Sequence, residues 1–200
     1  MAISQKLKGF LDESRVRYTA AKHPVVYTAQ EIAAAQHIPG RQLAKSVLVK
    51  TDSGPALAVL SAIHLIDLKK LKALLRAKTL TIAKEADIKS HFSDMEVGAM
   101  SPFGNLYGVP VAVDQGLGEA EEMAFNAGSH TDTIKLRYED FARLVKPKVG
   151  EFSQPVGGPA AGKGKKKRAS KPTRRQAQAV HPKSRTRHPT KKPTRAKKRR

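Results

Sequence analysis

Apolar positions recur along the first 150 residues with periods that switch between helix and strand. Leu7, Phe10 and Leu11 fall at i, i+3, i+4 spacing, with Lys6, Asp12 and Glu13 off that face, which predicts an amphipathic helix over 4–14. Residues 16–21 alternate and read as a strand, ended by His23-Pro24. Thr28-Ala29-Gln30-Glu31 has the form of a capping box, a Thr followed three residues later by Glu. It opens a helix through about Gln36, stopped by Pro39-Gly40. The runs 44–51 and 56–61 flank the turn Asp52-Ser53-Gly54-Pro55 and predict a hairpin. Asp67 is placed to cap a helix over 68–76 whose buried stripe is Leu68, Leu71, Leu74 and Leu75. A further helix is expected over about 84–91 and a short strand from Val109 to Asp114. Two more strands, Glu121–Asn126 and Thr133–Leu136, are separated by a turn at Gly128, and a last helix covers 138–145.

Strands and helices interleave without a regular βαβ period. The expected class is therefore α+β, a mixed, largely antiparallel curved sheet with flanking helices. About 150 residues suffice for an ordinary core, because a chain of that length buries roughly two thirds of its unfolded surface. The expected division is a domain over 1–150 and a linker and tail over 151–200. No internal repeat is visible.

Charge changes this picture by splitting the chain. Residues 1–150 carry 20 Lys+Arg against 16 Asp+Glu, while residues 151–200 carry 18 Lys+Arg against the single acid Glu151. Gln154 to Gly162 has a linker composition of Pro, Gly and Ala. From Lys163 onward there is no aromatic residue, and Val180 is the lone larger aliphatic, so the composition predicts disorder. Lys165-Lys166-Lys167-Arg168, Arg174-Arg175 and Lys197-Lys198-Arg199-Arg200 form a polycation that binds phosphate backbones by counterion release, without sequence readout. The alternative is a solubilising segment without a specific partner. Its Lys-Pro-Thr and His-Pro units are similar to histone-like basic tails, which keeps DNA or other RNA among its targets.

The chain has no Cys, which excludes disulfides, thiolate zinc sites and a cysteine nucleophile. The N-terminal stretch lacks a continuous apolar run, so no signal peptide is expected. No apolar run reaches the ~18 residues a membrane span needs. The expected location is the cytoplasm. His23, His37, His64 and His91 show no metal-ligand spacing, so no metal site and no cofactor are expected.

Three segments carry candidate chemistry. Val97-Gly98-Ala99-Met100-Ser101-Pro102-Phe103-Gly104 packs two glycines and a proline into eight residues. It is either a tight turn or a loop presenting bare backbone groups to a ligand. Lys45 opens an apolar strand, as a solvated edge charge or as a cation directed into a pocket for phosphate or carboxylate. Asn126-Ala127-Gly128-Ser129-His130-Thr131-Asp132-Thr133 is a polar hairpin connection, or else presents Asn126 and His130 to the same pocket as the glycine loop. Ser101 precedes Pro102 and lacks the Gly-x-Ser-x-Gly elbow, so it is read as a loop or substrate-contact residue and not as a nucleophile.

Taken together and in order, Lys45, the Gly98-x-x-x-Pro102-Phe103-Gly104 loop, and Asn126-x-Gly128 followed by Ile134 resemble the YbaK/ProX aminoacyl-tRNA deacylase family. The same domain occurs as the editing insertion of bacterial prolyl-tRNA synthetases. His23-Pro24, Thr28-x-x-Glu31-x-Ala33 and Pro39-Gly40 match the order of that family's N-terminal half, and the likeness covers roughly residues 4–147. The Ser-Pro-Phe-Gly form of the loop and His130 lie closer to the alanyl-tRNA(Pro) type than to the cysteinyl-tRNA(Pro) type. The resemblance implies hydrolysis of the ester joining a wrong amino acid to the tRNA 3′ end, without metal or a covalent protein nucleophile. It implies a catalytic set of Lys45, Gly98, Ser101, Gly104 and His130. It implies substrate contacts at Tyr27, Thr28, Pro102, Phe103, Asn126 and Gly128. The implied partners are the aminoacylated 3′ end of tRNA and prolyl-tRNA synthetase, with no membrane. The alternatives within the fold are cysteinyl- or seryl-tRNA, and outside it a non-catalytic nucleic-acid-binding protein driven by the tail.

Overall fold

The protein is described from a computed structural model, which covers residues 3–25, 29–35 and 38–156. Tyr27, Thr28 and every tail position from Lys165 to Arg200 lie outside the described residues.

Among the described residues the α-helices are α1 (Gln5–Glu13), α2 (Ala29–Ala35), α3 (Leu68–Leu75), α4 (Glu85–His91) and α5 (Tyr138–Val145). The strands among the same residues are β1 (Tyr18–Lys22), β2 (Leu43–Thr51), β3 (Gly54–Ser61), β4 (His64–Ile66), β5 (Leu80–Ile82), β6 (Val111–Asp114), β7 (Glu122–Asn126), β8 (Asp132–Arg137), β9 (Lys148–Gly150) and β10 (Ser153–Pro155). The helices start where the sequence places acceptors for free N–H groups. Ser4 accepts from Leu7 N at the head of α1, and Asp67 accepts from Lys69 N and Lys70 N at the head of α3.

The main sheet runs β1-β8-β7-β2-β3-β6-β9, with β5 also paired to β2. The pairs β1–β8, β7–β8, β2–β3 and β2–β5 are antiparallel; β2–β7, β3–β6 and β6–β9 are parallel. The architecture is thus the expected mixed α+β. One edge of β2 is shared end to end. Leu43 and Ala44 pair with Ala124 and Phe125 of β7, and Val49 to Thr51 pair with β5. Between them Lys45 to Val47 are left without a ladder partner on that edge among the described residues.

Strand alternation sorts the side chains onto two faces. Ala44, Leu48, Leu57, Val59, Met123, Phe125, Ile134 and Leu136 build the larger core with Leu7, Leu11, Phe92, Phe103 and Phe141. The opposite face packs Val49, Ala58 and Leu60 against Leu71 of α3, and Leu43, Ala62 and Ala124 against Ile32 of α2.

The folded structure continues past residue 150. Phe152 is fully buried, and β10 pairs with β4 in a separate two-stranded sheet, Pro155 opposite His64. Asp114 holds that segment through Phe152 N, Ser153 N and the Ser153 hydroxyl, each at 2.8 Å. The composition shift near 151 therefore precedes the end of the ordered packing.

Candidate functional site

Lys45 sits on β2, opposite Leu60 of β3, and is half-buried. Its ammonium donates to the carbonyls of Ala62, at 3.3 Å, and His64, at 2.5 Å. Burial draws its pKa below that of an ordinary lysine. A solvated edge charge would show none of this. The parallel pairing of β2 with β7 ends at Ala44–Phe125, one residue before Lys45 on the one strand and before Asn126, the last residue of β7, on the other.

The glycine loop and the β7–β8 turn are locked together. Gly128 N donates to Ala99 O at 3.1 Å, and Glu96 N donates to Gly128 O at 2.9 Å. The His130 N–H donates to the Glu96 carboxylate at 2.8 Å, and His130 Nε2 lies 3.0 Å from Val97 O. Gly128 has φ +103°, and a Cβ there would meet Met95 Cγ at 3.2 Å and Ser4 Cβ at 3.3 Å. Glycine is required at this position twice over, by conformation and by space. On the far side of the turn the buried Asp132 carboxylate accepts from Ser129 Oγ at 2.6 Å and Thr131 Oγ1 at 2.8 Å. Burial works to raise the Asp132 pKa, but these hydroxyls and Lys22 outweigh it and hold the carboxyl below its usual range.

The two ends of the glycine loop differ. Gly98 is exposed, with φ +89°, and the position a Cβ would take lies 3.4 Å from His130 Cε1. Ala99 to Gly104 are buried. A Cβ on Gly104 would stand 2.7 Å from Val109 O and 2.9 Å from Val111 Cγ2, so this glycine serves close packing. Phe103 is a correction to the expected substrate contacts. It is fully buried in the core, with ring centroids 6.0 Å from Phe10, 5.7 Å from Phe125 and 5.4 Å from Phe141. It anchors the loop from behind. Pro102 is buried beside it. Ser101 is fully buried; its N–H faces Met95 Sδ at 3.4 Å, and its hydroxyl has no partner.

The face of the sheet that carries Lys45 also holds a cavity of about 250 Å³, lined by Thr19 and Ala21 of β1, Thr133 and Lys135 of β8, and Ile38, Pro39 and Gln42. Lys135 is turned to Glu122 at 3.0 Å. Asn126 stands directly across from Thr133 in the β7–β8 ladder. Asn126 Oδ1, Thr133 Oγ1 and His23 Nε2 are buried without a hydrogen-bond partner. Glu96 carries no signal in the sequence, and Asp132 and Thr133 stand there only as the end of the polar turn after Asn126. Thr133 becomes visible only when the β7–β8 register aligns it with Asn126.

One face of the sheet thus carries a half-buried cation, Lys45, and the unpartnered polar atoms of His23, Asn126 and Thr133, an arrangement suited to a small polar group attached to something larger. Comparison with known proteins names the class. Residues 23–144 match the model of the aminoacyl-tRNA editing domain, and the chain belongs to that family. It is an aminoacyl-tRNA deacylase, a hydrolase of translation fidelity. A curated relative from Acetoanaerobium sticklandii, the prolyl-tRNA editing protein ProX, is 28% identical over 158 residues, spanning 76% of this chain and 96% of the relative. Two solved structures share the fold. One, described as a candidate trans-editing enzyme for prolyl-tRNA synthetase, is 19% identical with a TM-score of 0.67, covering 76% of this chain and 96% of its own. The other, a hypothetical protein, is 14% identical with a TM-score of 0.69, covering 75% and 100%. Among the described residues no helix is long and apolar enough to cross a membrane.

Proposed function

We propose that the chain is a trans-editing deacylase whose substrate is alanyl-tRNA(Pro). The observation that carries the choice of a small amino acid is the rim. The His130 ring is fixed to Val97 O at 3.0 Å and lies against exposed Gly98, where a Cβ would already be in contact. In this reading the rim closes over the acyl end, where it suits a methyl side chain and disfavours larger ones. This is the logic of a second sieve, in which the substrates hydrolysed are those small enough to enter. The prolyl-tRNA editing relative supports tRNA(Pro) as the carrier.

An aminoacyl ester is already activated, so catalysis needs a positioned water and fixed dipoles for the tetrahedral oxyanion. In this reading Lys45 holds the 3′-terminal nucleotide through its phosphate, and backbone groups near Gly98 line the acyl end. His130 closes the pocket over the side chain. Asn126 lies between them. The basic segment beyond Val156 adds sequence-independent affinity for tRNA and raises its concentration near the pocket. Its contribution is read as an apparent KM that climbs with salt while kcat stays level. DNA or other RNA, and prolyl-tRNA synthetase, are further partners to assay in the same way.

The test is a deacylation panel of tRNA(Pro) charged with Ala, Cys, Ser or Pro, with Lys45→Ala as control. Fast hydrolysis of the alanyl ester alone, lost in Lys45→Ala, is the expected result. Preference for the cysteinyl or seryl ester would move the substrate within the fold. Hydrolysis of none, with tRNA binding intact in both proteins, would leave a binding module.

A further inference from the structure

Buried polar atoms without partners are uncommon in folded proteins, and each calls for an explanation. Three of the five such side-chain atoms among the described residues belong to one patch. Asn126 and Thr133 are directly opposed on β7 and β8, and Ala21 of β1 stands opposite Thr133 on the other side. His23 follows Ala21 by two residues and keeps the ladder going, its N–H donating to Thr131 O at 2.9 Å. By strand alternation these residues share the face that carries Lys45. Directly opposed side chains on an antiparallel pair have Cβ atoms about 5 Å apart, and diagonal neighbours about 7–8 Å. Thr133 is 2% exposed and His23 7% exposed, so water does not satisfy them freely.

All three atoms can accept a hydrogen bond, and the Thr133 hydroxyl can also donate one. His23 Nδ1 lies 2.8 Å from the Pro24 carbonyl, which only accepts, so Nδ1 carries the hydrogen and Nε2 of the neutral ring is an acceptor. Asn126 Oδ1 is an acceptor, and Thr133 Oγ1 can accept. Three acceptors without donors fit a group that is all donor, a primary ammonium, which offers three N–H bonds in a tetrahedral spread.

We infer that the patch formed by His23, Asn126 and Thr133 is a subsite for the free α-ammonium of the aminoacyl ester. The subsite rests on the deacylase reading of the same face. Its placement fits that reading. One strand, β7, separates β8 from β2, so Thr133 and Lys45 are about two strand spacings, or ~10 Å, apart. A nucleotide can therefore lie across β7 with its phosphate toward Lys45 and its aminoacyl end toward the acceptors. The two cations, ligand and lysine, stay on opposite sides of Asn126. The Lys135 ammonium, which also borders the cavity, is neutralised by Glu122. The consequence is selection for a free amine: an N-blocked aminoacyl-tRNA or a peptidyl-tRNA would be left alone.

Two measurements on the full chain test this. Alanyl-tRNA and N-acetyl-alanyl-tRNA carry the same ester and differ in the ammonium. The free amine should be hydrolysed at least 100-fold faster in kcat/KM. Thr133→Val, nearly the same shape without the hydroxyl, should lower kcat/KM on the free amine about 10-fold and lower it far less on the acetylated substrate. Equal hydrolysis of the two esters, or an equal fall on both in Thr133→Val, overturns the subsite while leaving the deacylase intact. The second measurement needs no turnover. 3′-Deoxy-3′-(alanylamino)adenosine, which holds an amide in place of the ester, should shift the NMR signals of Asn126 and Thr133, and its N-acetyl form should not. That result supports the subsite even if no ester is hydrolysed, in which case the deacylase reading alone fails. Equal shifts from both compounds, or none from either, overturn it.

Discussion

Replacing Gly98 with alanine tests the proposal that the exposed end of the glycine loop serves catalysis while its buried end serves packing. Gly98 has φ +89°, where a residue bearing Cβ is strained by about 1–3 kcal/mol. Steric crowding adds little, because the new Cβ would lie 3.4 Å from His130 Cε1 and 3.8 Å from Nε2, ordinary contact distances. A domain stable by about 5–15 kcal/mol remains folded after that loss. The rate should suffer more than the fold. The cheapest relief of the strain is rotation of the Val97–Gly98 peptide, and that peptide carries the carbonyl that fixes His130 at 3.0 Å. A shift of about 1 Å in a positioning group can cost on the order of 100-fold in rate. Urea unfolding should show a loss of about 1–3 kcal/mol, and single-turnover deacylation of alanyl-tRNA(Pro) a fall of 10- to 100-fold. A variant destabilised as expected, yet hydrolysing within twofold of the parent rate, would refute the placement of Gly98 at the reacting centre.

Phe103→Ala empties the middle of the aromatic cluster and should cost about 3–5 kcal/mol, read by urea unfolding; a loss under 1 kcal/mol would contradict its core role. Thr133→Val removes a buried hydroxyl that has no partner, so it should raise stability, by up to about 1–3 kcal/mol, while weakening the alanyl substrate. A residue with a purely structural role would not give that opposition. Asp132 has a lowered folded pKa, so its stabilising contribution is complete above its unfolded value near 3.8 and is lost as pH falls through the lower folded value. Asp132→Asn should therefore flatten the dependence of stability on pH below about 4, measured by urea midpoints at pH 5, 4 and 3, and a parent-like slope in the variant would sink the assignment.

Much of this was legible from periodicity. The helix capped by Asp67, the 44–61 hairpin and the final helix over 138–145 all follow from local spacing and turn chemistry, and the structure reproduces them within a residue or two. The three-residue strands β4, β5, β9 and β10 were not legible, because so short a segment shows no alternation and its pairing is decided by distant partners. Phe152 is a lone apolar residue in a linker-like stretch, so its burial could not be read locally. The site divides in the same way. Lys45, the glycine loop and the Asn126–His130 turn stand out by residue type. Thr133 does not, and His23 is visible only as part of His23-Pro24; it is the β1–β8–β7 register that gathers them beside Asn126. The loop's composition also cannot tell its exposed end at Gly98 from its buried end at Phe103 and Gly104.

The central claim is that the face running from Lys45 across Asn126 to Thr133, rimmed by Gly98 and His130, is where an alanyl ester is cleaved. Single-turnover hydrolysis of alanyl-tRNA(Pro), with the full chain in excess and Lys45→Ala in parallel, tests it most directly. The account predicts rapid release of alanine by the parent protein and a loss of at least 100-fold in Lys45→Ala with its urea midpoint preserved. Equal rates in the two proteins would contradict it.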